Sequence, residues 1–350
     1  METLGEPAVA ALIGLGGGIA LGLAARIGRF CTLGAIEDQL YGGSSARLRM
    51  WGLAIGTAIV TTFLAYGAGW IDPSRAFYLA EGWSLAGAVL GGLVFGYGMA
   101  LAGNCGYGAL ARLGGGDMRS FVIVLVMGLT AYVTLSGPLA KLRITLFART
   151  PTETPPGLAH ILGGALGLSV AGIGVVIGLA LIALSLWRSR ASEMSGSQIF
   201  WGAVVGLAVS SGWLGTHWLA TTGFDDLPVV SHTFSAPIGE SLLYAMTSSG
   251  AHLSFGVGSV LGVLVGSFAG SLWKGRFRWE ACEDPRELRR QILGAGFMGW
   301  GAVTAAGCSI GQGVSAFSLL AVSAPITVAA IFVGAALGLR QLIAGSVLVP

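Results

Sequence analysis

Apolar runs close to 20 residues long recur along this chain of 350 residues, separated by short connectors that hold most of its charge. A helix of that length crosses a hydrocarbon core about 30 Å thick. Inside that core every backbone polar group must find its partner within the segment, which leaves helices and closed barrels as the only spanning structures. Runs this long and this uniformly apolar predict helices, and therefore an all-α polytopic membrane protein. Charged residues amount to only 10% of the chain, which removes it from the soluble globular classes. The 59 glycines predict close helix–helix packing.

Nine spans are expected, at residues 8–25, 50–70, 83–101, 120–137, 158–187, 198–218, 252–273, 291–307 and 324–341. The N-terminal segment Met-Glu-Thr-Leu-Gly-Glu-Pro carries two acids and no base, so a cleaved signal peptide is not expected. Threading nine spans through a bilayer divides the 19 basic residues fifteen to four. Arg26, Arg29, Arg47, Arg49, Arg112, Arg119, Arg276 and Arg340 fall on the rich side; Arg75, Lys141, Arg143 and Arg149 make up the poor one. The positive-inside rule then puts the N-terminus outside and the C-terminus in the cytoplasm of a cell inner membrane. The net charge of +3 is a topology signal, and nucleic acid is not expected as a partner.

A shift of 203 positions superimposes Gly91 on Gly294, Gly96 on Gly299, Gly98 on Gly301, Ala102 on Ala305, Cys105 on Cys308 and Gly108 on Gly311 without a gap. The third and eighth spans run in opposite directions in this threading, so one transport domain, 1–350, is expected to hold two inverted repeats. Residues 8–137 form the first half, 138–197 a linker and connecting span, and 198–341 the second half. Short re-entrant helices are expected after Cys105, after Cys308 and from Ala236 to Met246, giving an hourglass-like core.

Three of the four cysteines share one motif at the end of a long apolar stretch: Cys31-Thr-Leu-Gly34, Cys105-Gly-Tyr-Gly108 and Cys308-Ser-Ile-Gly311. In the second half, the place equivalent to Cys31 is expected at Thr221-Thr222-Gly223-Phe224, without a cysteine. An anion crossing hydrocarbon needs donors along its route. Short-helix N-termini supply N–H groups and a positive dipole end. Gly34, Gly106, Gly108, Gly311 and Gly313 permit close approach to backbone, and Asn104 adds an amide or serves as a helix cap. A buried protonated thiol is a weak donor with a soft surface, suited to a polarisable sulfur-bearing anion. The bland alternative is that each cysteine is a small core hydrophobe. No metal site is expected, since no C-x-x-C occurs and His160, His217, His232 and His252 lack ligand spacing. No nucleotide loop is present in the sequence, and no cofactor is expected. Cys282, in a charged connector, reads as incidental. Gly258, Gly262, Gly266 and Gly270 read as a packing ladder, and Glu240 as a residue near the waist.

Together, R-x-x-R-F-C-T-x-G-A (Arg26 to Ala35), A-G-N-C-G-Y-G (Ala102 to Gly108), A-G-C-S-I-G-Q-G (Ala306 to Gly313) and the stretch from Ser235 to Met246 resemble the YeeE/YedE sulfur-transport family. The resemblance spans nearly the whole chain. It implies an hourglass-shaped permease carrying thiosulfate inward past three cysteines through transient S–H···S contacts, a relay that falls on Cys31, Cys105 and Cys308. It also implies a cytoplasmic TusA-like sulfurtransferase as a separate partner, and no fused one is expected. The alternatives are a permease for another sulfur or selenium compound, a membrane-embedded thiol-disulfide oxidoreductase, and a structural subunit whose cysteines are core filler.

Overall fold

A computed structural model of the chain describes residues 5–149, 157–187, 194–225, 227–250, 252–281 and 284–345. Cys282 lies outside the described residues, as does most of the Pro- and Thr-rich part of the linker between the halves. Every regular element described is helical. In chain order these are α1 (Glu6–Arg26), α2 (Thr32–Leu40), α3 (Ala46–Gly67), α4 (Phe77–Ala80), α5 (Leu85–Ala102), α6 (Gly106–Gly114), α7 (Met118–Leu135) and α8 (Ala140–Leu146). They continue as α9 (Leu158–Leu166), α10 (Val170–Leu186), α11 (Gly196–Thr222), α12 (Ala236–Thr247), α13 (Phe255–Trp273), α14 (Pro285–Thr304) and α15 (Ser323–Ala344). A π-helical stretch, Gly311–Ala316, follows Cys308.

Among the described residues, seven segments are long and apolar enough to cross a membrane: α1, α3, the joined α5–α6, α7, α11, α13 and α15. The expected eighth span is the 20-residue α14, whose first turns carry Arg286, Glu287, Arg289 and Arg290. The expected fifth span, 158–187, is not one helix. It breaks into α9 and α10 at Gly167, which is left-handed at φ 66°, and Ser169 restarts the helix by accepting the Gly172 N–H. A left-handed glycine followed by a capping serine is an ordinary stop and start signal.

Glycine sets the helix spacing. On α1 and α13 the two ladders mesh: a Cβ at Gly14, Gly18 or Gly22 would lie within 2.4 Å of a carbonyl oxygen of α13. One at Gly258, Gly262 or Gly266 would lie within 2.3 Å of a carbonyl of α1. Backbones this close gain dispersion contacts that lipid cannot replace.

The packing of one half has a counterpart in the other. α1 lies on α13 as α11 lies on α3, and α5 lies on α15 as α14 lies on α7. α2 touches α3 and α15 as α12 touches α13 and α7. α5 pairs with α14, and α1 with α11. α9 and α10 fall outside this exchange and pack beside α3.

Candidate functional site

Each cysteine of the shared motif follows a helix that stops in the same way. Arg29 (φ 56°), Gly103 (φ 77°) and Ala306 (φ 57°) are left-handed, and each stands two residues before its cysteine. The turn they make ends one helix and starts a new short one at the cysteine. Two of the three are not glycine, so the turn is held at a cost in backbone strain.

The sulfur atoms then act as caps. Cys31 Sγ accepts the Gly34 N–H at 3.5 Å, Cys105 Sγ the Gly108 N–H at 3.5 Å, and Cys308 Sγ the Gly311 N–H at 3.4 Å. Capping uses a sulfur lone pair and leaves the S–H proton free to donate to a ligand. All three cysteines are free. Cys105 and Cys308 are each 1% exposed, while Cys31 is half-buried.

Two vestibules approach this row of caps, named inner and outer after the arginine-rich and arginine-poor sides expected from the sequence. The inner one, about 350 Å³, is lined by Cys31, Gly34, Asn104, Gly108 and five arginines, Arg26, Arg29, Arg47, Arg112 and Arg276. Glu37 shares that lining; burial pushes its carboxyl above the ordinary value, while Arg112 and Arg47 pull it back. Arg47 pairs with Asp38 at 3.1 Å, and Arg26 is tied to Ser271 at 2.6 Å. The outer vestibule, about 720 Å³, is mostly apolar, with Arg149, His252 and Glu240 in its wall and Tyr78, Thr233 and Gly307 in its lining. Glu240 therefore opens onto this vestibule.

Between the vestibules the core is closed. Tyr107 and Phe234 meet there at a tilt of 36° with ring centroids 5.4 Å apart, and both are buried. Polar groups nonetheless run across the closure. Thr233 Oγ1 lies 3.6 Å from Cys308 Sγ, which also accepts the Phe234 N–H at 3.3 Å. Ser309, next to Cys308, faces Cys105. On the other side Thr32, next to Cys31, reaches Cys105 Sγ at 3.9 Å. The order from outer to inner vestibule is Thr233, Cys308, Ser309, Cys105, Thr32, Cys31.

The glycines divide into two groups. Gly34 and Gly108 line the inner vestibule. Gly311 lies against Thr233 and Tyr78, at the outer approach to Cys308. A Cβ at Gly106 would instead meet Met127 and the Phe234 carbonyl, one at Gly313 would meet Trp51, and neither glycine lines a vestibule. Asn104 is not the helix cap, because the Cys105 sulfur takes that place. The hydroxyls of Thr32, Thr233 and Ser309 were not singled out from the sequence. Their signal was adjacency to a cysteine in Cys31-Thr32 and Cys308-Ser309, whereas Thr233 carries none. Thr221–Phe224 is the end of α11 and the bend after it, and the turn into α12 is Thr233–Phe234–Ser235. No metal-binding cluster occurs among the described residues.

A polytopic α-helical protein with vestibules on opposite sides of a closed, polar-threaded waist has the build of a membrane transport protein. The sequence pattern of the sulphur-transport family matches residues 27–337, and the chain belongs to that family. It is 27% identical over 322 residues to the thiosulfate transporter TsuA of Escherichia coli strain K12, covering 87% of this chain and 86% of that one. Against the thiosulfate transporter TsuA of Spirochaeta thermophila the identity is 26% over 317 residues, covering 87% and 91%. Family and relatives are transporters, which sets aside the thiol-disulfide oxidoreductase.

Proposed function

We propose that this chain takes up thiosulfate across the cell inner membrane, with Cys308, Cys105 and Cys31 contacting the ion in turn through S–H···S interactions. The observation that supports the reading is the set of thiols and hydroxyls, Thr233 beside Cys308 and Thr32 beside Cys105, placed between two vestibules that share no lining residue. Each thiol donates weakly while its sulfur is engaged in a cap, so no contact is strong enough to trap the ion, as passage requires. The substrate comes from the two relatives named for thiosulfate transport. Growth on thiosulfate as sole sulfur source, in cells lacking other thiosulfate uptake, tests it: rescue by this chain is expected, and no rescue would reopen the substrate.

The two halves are inverted copies, 8–137 and 198–341, with 138–197 between them. The exchanged packing of α1 on α13 and α11 on α3 supports this, as does the common turn before Cys105 and Cys308. The arginine-lined vestibule faces the cytoplasm, in accord with the positive-inside rule. There the ion passes to an acceptor, for which a separate TusA-like sulfurtransferase is the candidate. Orientation is checked with a membrane-impermeant thiosulfonate reagent on a Cys282→Ser background. Cys31 is expected to react from the cytoplasmic side only, with Cys105 and Cys308 protected. Reaction of Cys31 from the outer side would reverse the topology.

A further inference from the structure

Asn104 is 1% exposed, yet both ends of its carboxamide, Oδ1 and Nδ2, have no protein partner. Burying an amide in that condition lowers stability, and buried polar side chains without partners are rare for that reason. Other side chains share the condition, among them Trp51, His232, Gln291 and Thr327, but of those with unpartnered buried atoms only Asn104 lines either vestibule. It lines the inner vestibule, next to Cys105 and before the N-terminus of the nine-residue α6. The Ser309 hydroxyl, also buried without a well-formed bond, approaches Cys105 from the next segment.

The other central thiol lacks this arrangement. The 203-residue shift that places Cys105 on Cys308 places Asn104 on Gly307 and Gly106 on Ser309. Cys308 is instead engaged by the Phe234 N–H and lies beside Thr233. The two thiols therefore offer different surroundings. Cys308 gives a sulfur with its acceptor capacity already used, whereas Cys105 sits among free amide and hydroxyl donors and the positive end of α6.

Resting on the thiosulfate reading above, we infer that Asn104, Ser309 and the N-terminus of α6 form with Cys105 a recognition site for the sulfonate oxygens of the anion. The hard oxygens receive N–H and O–H donors, while the terminal sulfur is left to the thiol. The site selects sulfur anions that carry S–O oxygens over those made of sulfur alone.

The test uses the full-length protein in proteoliposomes and measures uptake of radiolabelled thiosulfate by wild type, Asn104→Ala, Asn104→Ser, Asn104→Asp and Ser309→Ala. Loss of a donor to a charged group predicts a KM for Asn104→Ala raised about tenfold or more, with a smaller rise for Asn104→Ser and Ser309→Ala. Asn104→Asp, isosteric but negative, is expected to lose uptake. Competition separates recognition from scaffolding: methanesulfonate is expected to inhibit wild type but not Asn104→Ala, while hydrosulfide competes equally against both. The melting temperature of Asn104→Ala is expected to stay level or rise, because an unpartnered buried amide has been removed. A KM for Asn104→Ala within about twofold of wild type, methanesulfonate competition that survives the substitution, or a fall in melting temperature that tracks the lost uptake would overturn the inference. Wild type that carries no thiosulfate would instead sink the reading of function, and the inference with it.

Discussion

Cys105→Ala is expected to lower thiosulfate uptake by about tenfold, the low end of the effect of removing one contact to a charged group, while the protein keeps its fold. Cys105 is the central member of the row, reached from one side by Ser309 and from the other by Thr32. It is 1% exposed and lines neither vestibule, so it lies between them. Structural loss is limited to one weak cap from the Gly108 N–H, with a melting temperature within about 4 °C of wild type. Cys308→Ala is expected to cost less, because the Phe234 N–H and the Thr233 hydroxyl stay at the same place. Cys31→Ala is the mildest of the three, since Cys31 is half-buried in a vestibule where five arginines already attract the anion. Cys282→Ser is expected to be silent. Measured uptake in proteoliposomes at matched protein content checks the order. Full uptake by Cys105→Ala would show that the thiols are core filler.

How much of this was legible in the sequence depends on which residues carried a signal. The cysteine motif was visible because glycines accompany it, and Gly103 reads directly as a helix stop. Arg29 and Ala306 make the same left-handed turn with side chains that ordinarily avoid it, so tertiary packing fixes the turn where local propensity does not. The break between α9 and α10 did carry its signal, Gly167 and Ser169, but it is set in a run so uniformly apolar that length alone suggests a single span. Asn104 showed the opposite failure. Its neighbourhood reads as a helix start, where asparagine is a favoured cap, and only the geometry reveals that the sulfur of Cys105 has taken the role. The corner formed by Thr233 and Phe234 was out of reach, because it arises from the meeting of two segments 74 residues apart in the chain.

Gly258→Val is expected to abolish accumulation of folded protein. A Cβ at Gly258 would stand 1.9 Å from the Ala11 carbonyl oxygen, and the next nearest atoms are also backbone of α1. Backbone cannot rotate aside as a flexible side chain can, so the helices must separate. Separation at one rung opens the others, because Gly262 and Gly266 meet Leu15 and Ile19 with the same closeness, and Gly14, Gly18 and Gly22 answer from α1. The loss therefore extends along the whole interface and is expected to exceed about 4 kcal/mol, the range reached only by severe core disruption. It also reaches the site, since α1 leads into Arg29 and Cys31 while α13 packs on α6, which begins at Cys105. Gly16→Val is the matched control: a glycine of the partner helix α1, two positions from Gly14 and from Gly18, with no atom within 4 Å of an added Cβ. Fluorescence-detected size-exclusion chromatography in mild detergent is expected to give a monodisperse peak for Gly16→Val and none for Gly258→Val. A normal peak for Gly258→Val would mean that α1 and α13 do not approach as closely as their glycine ladders demand.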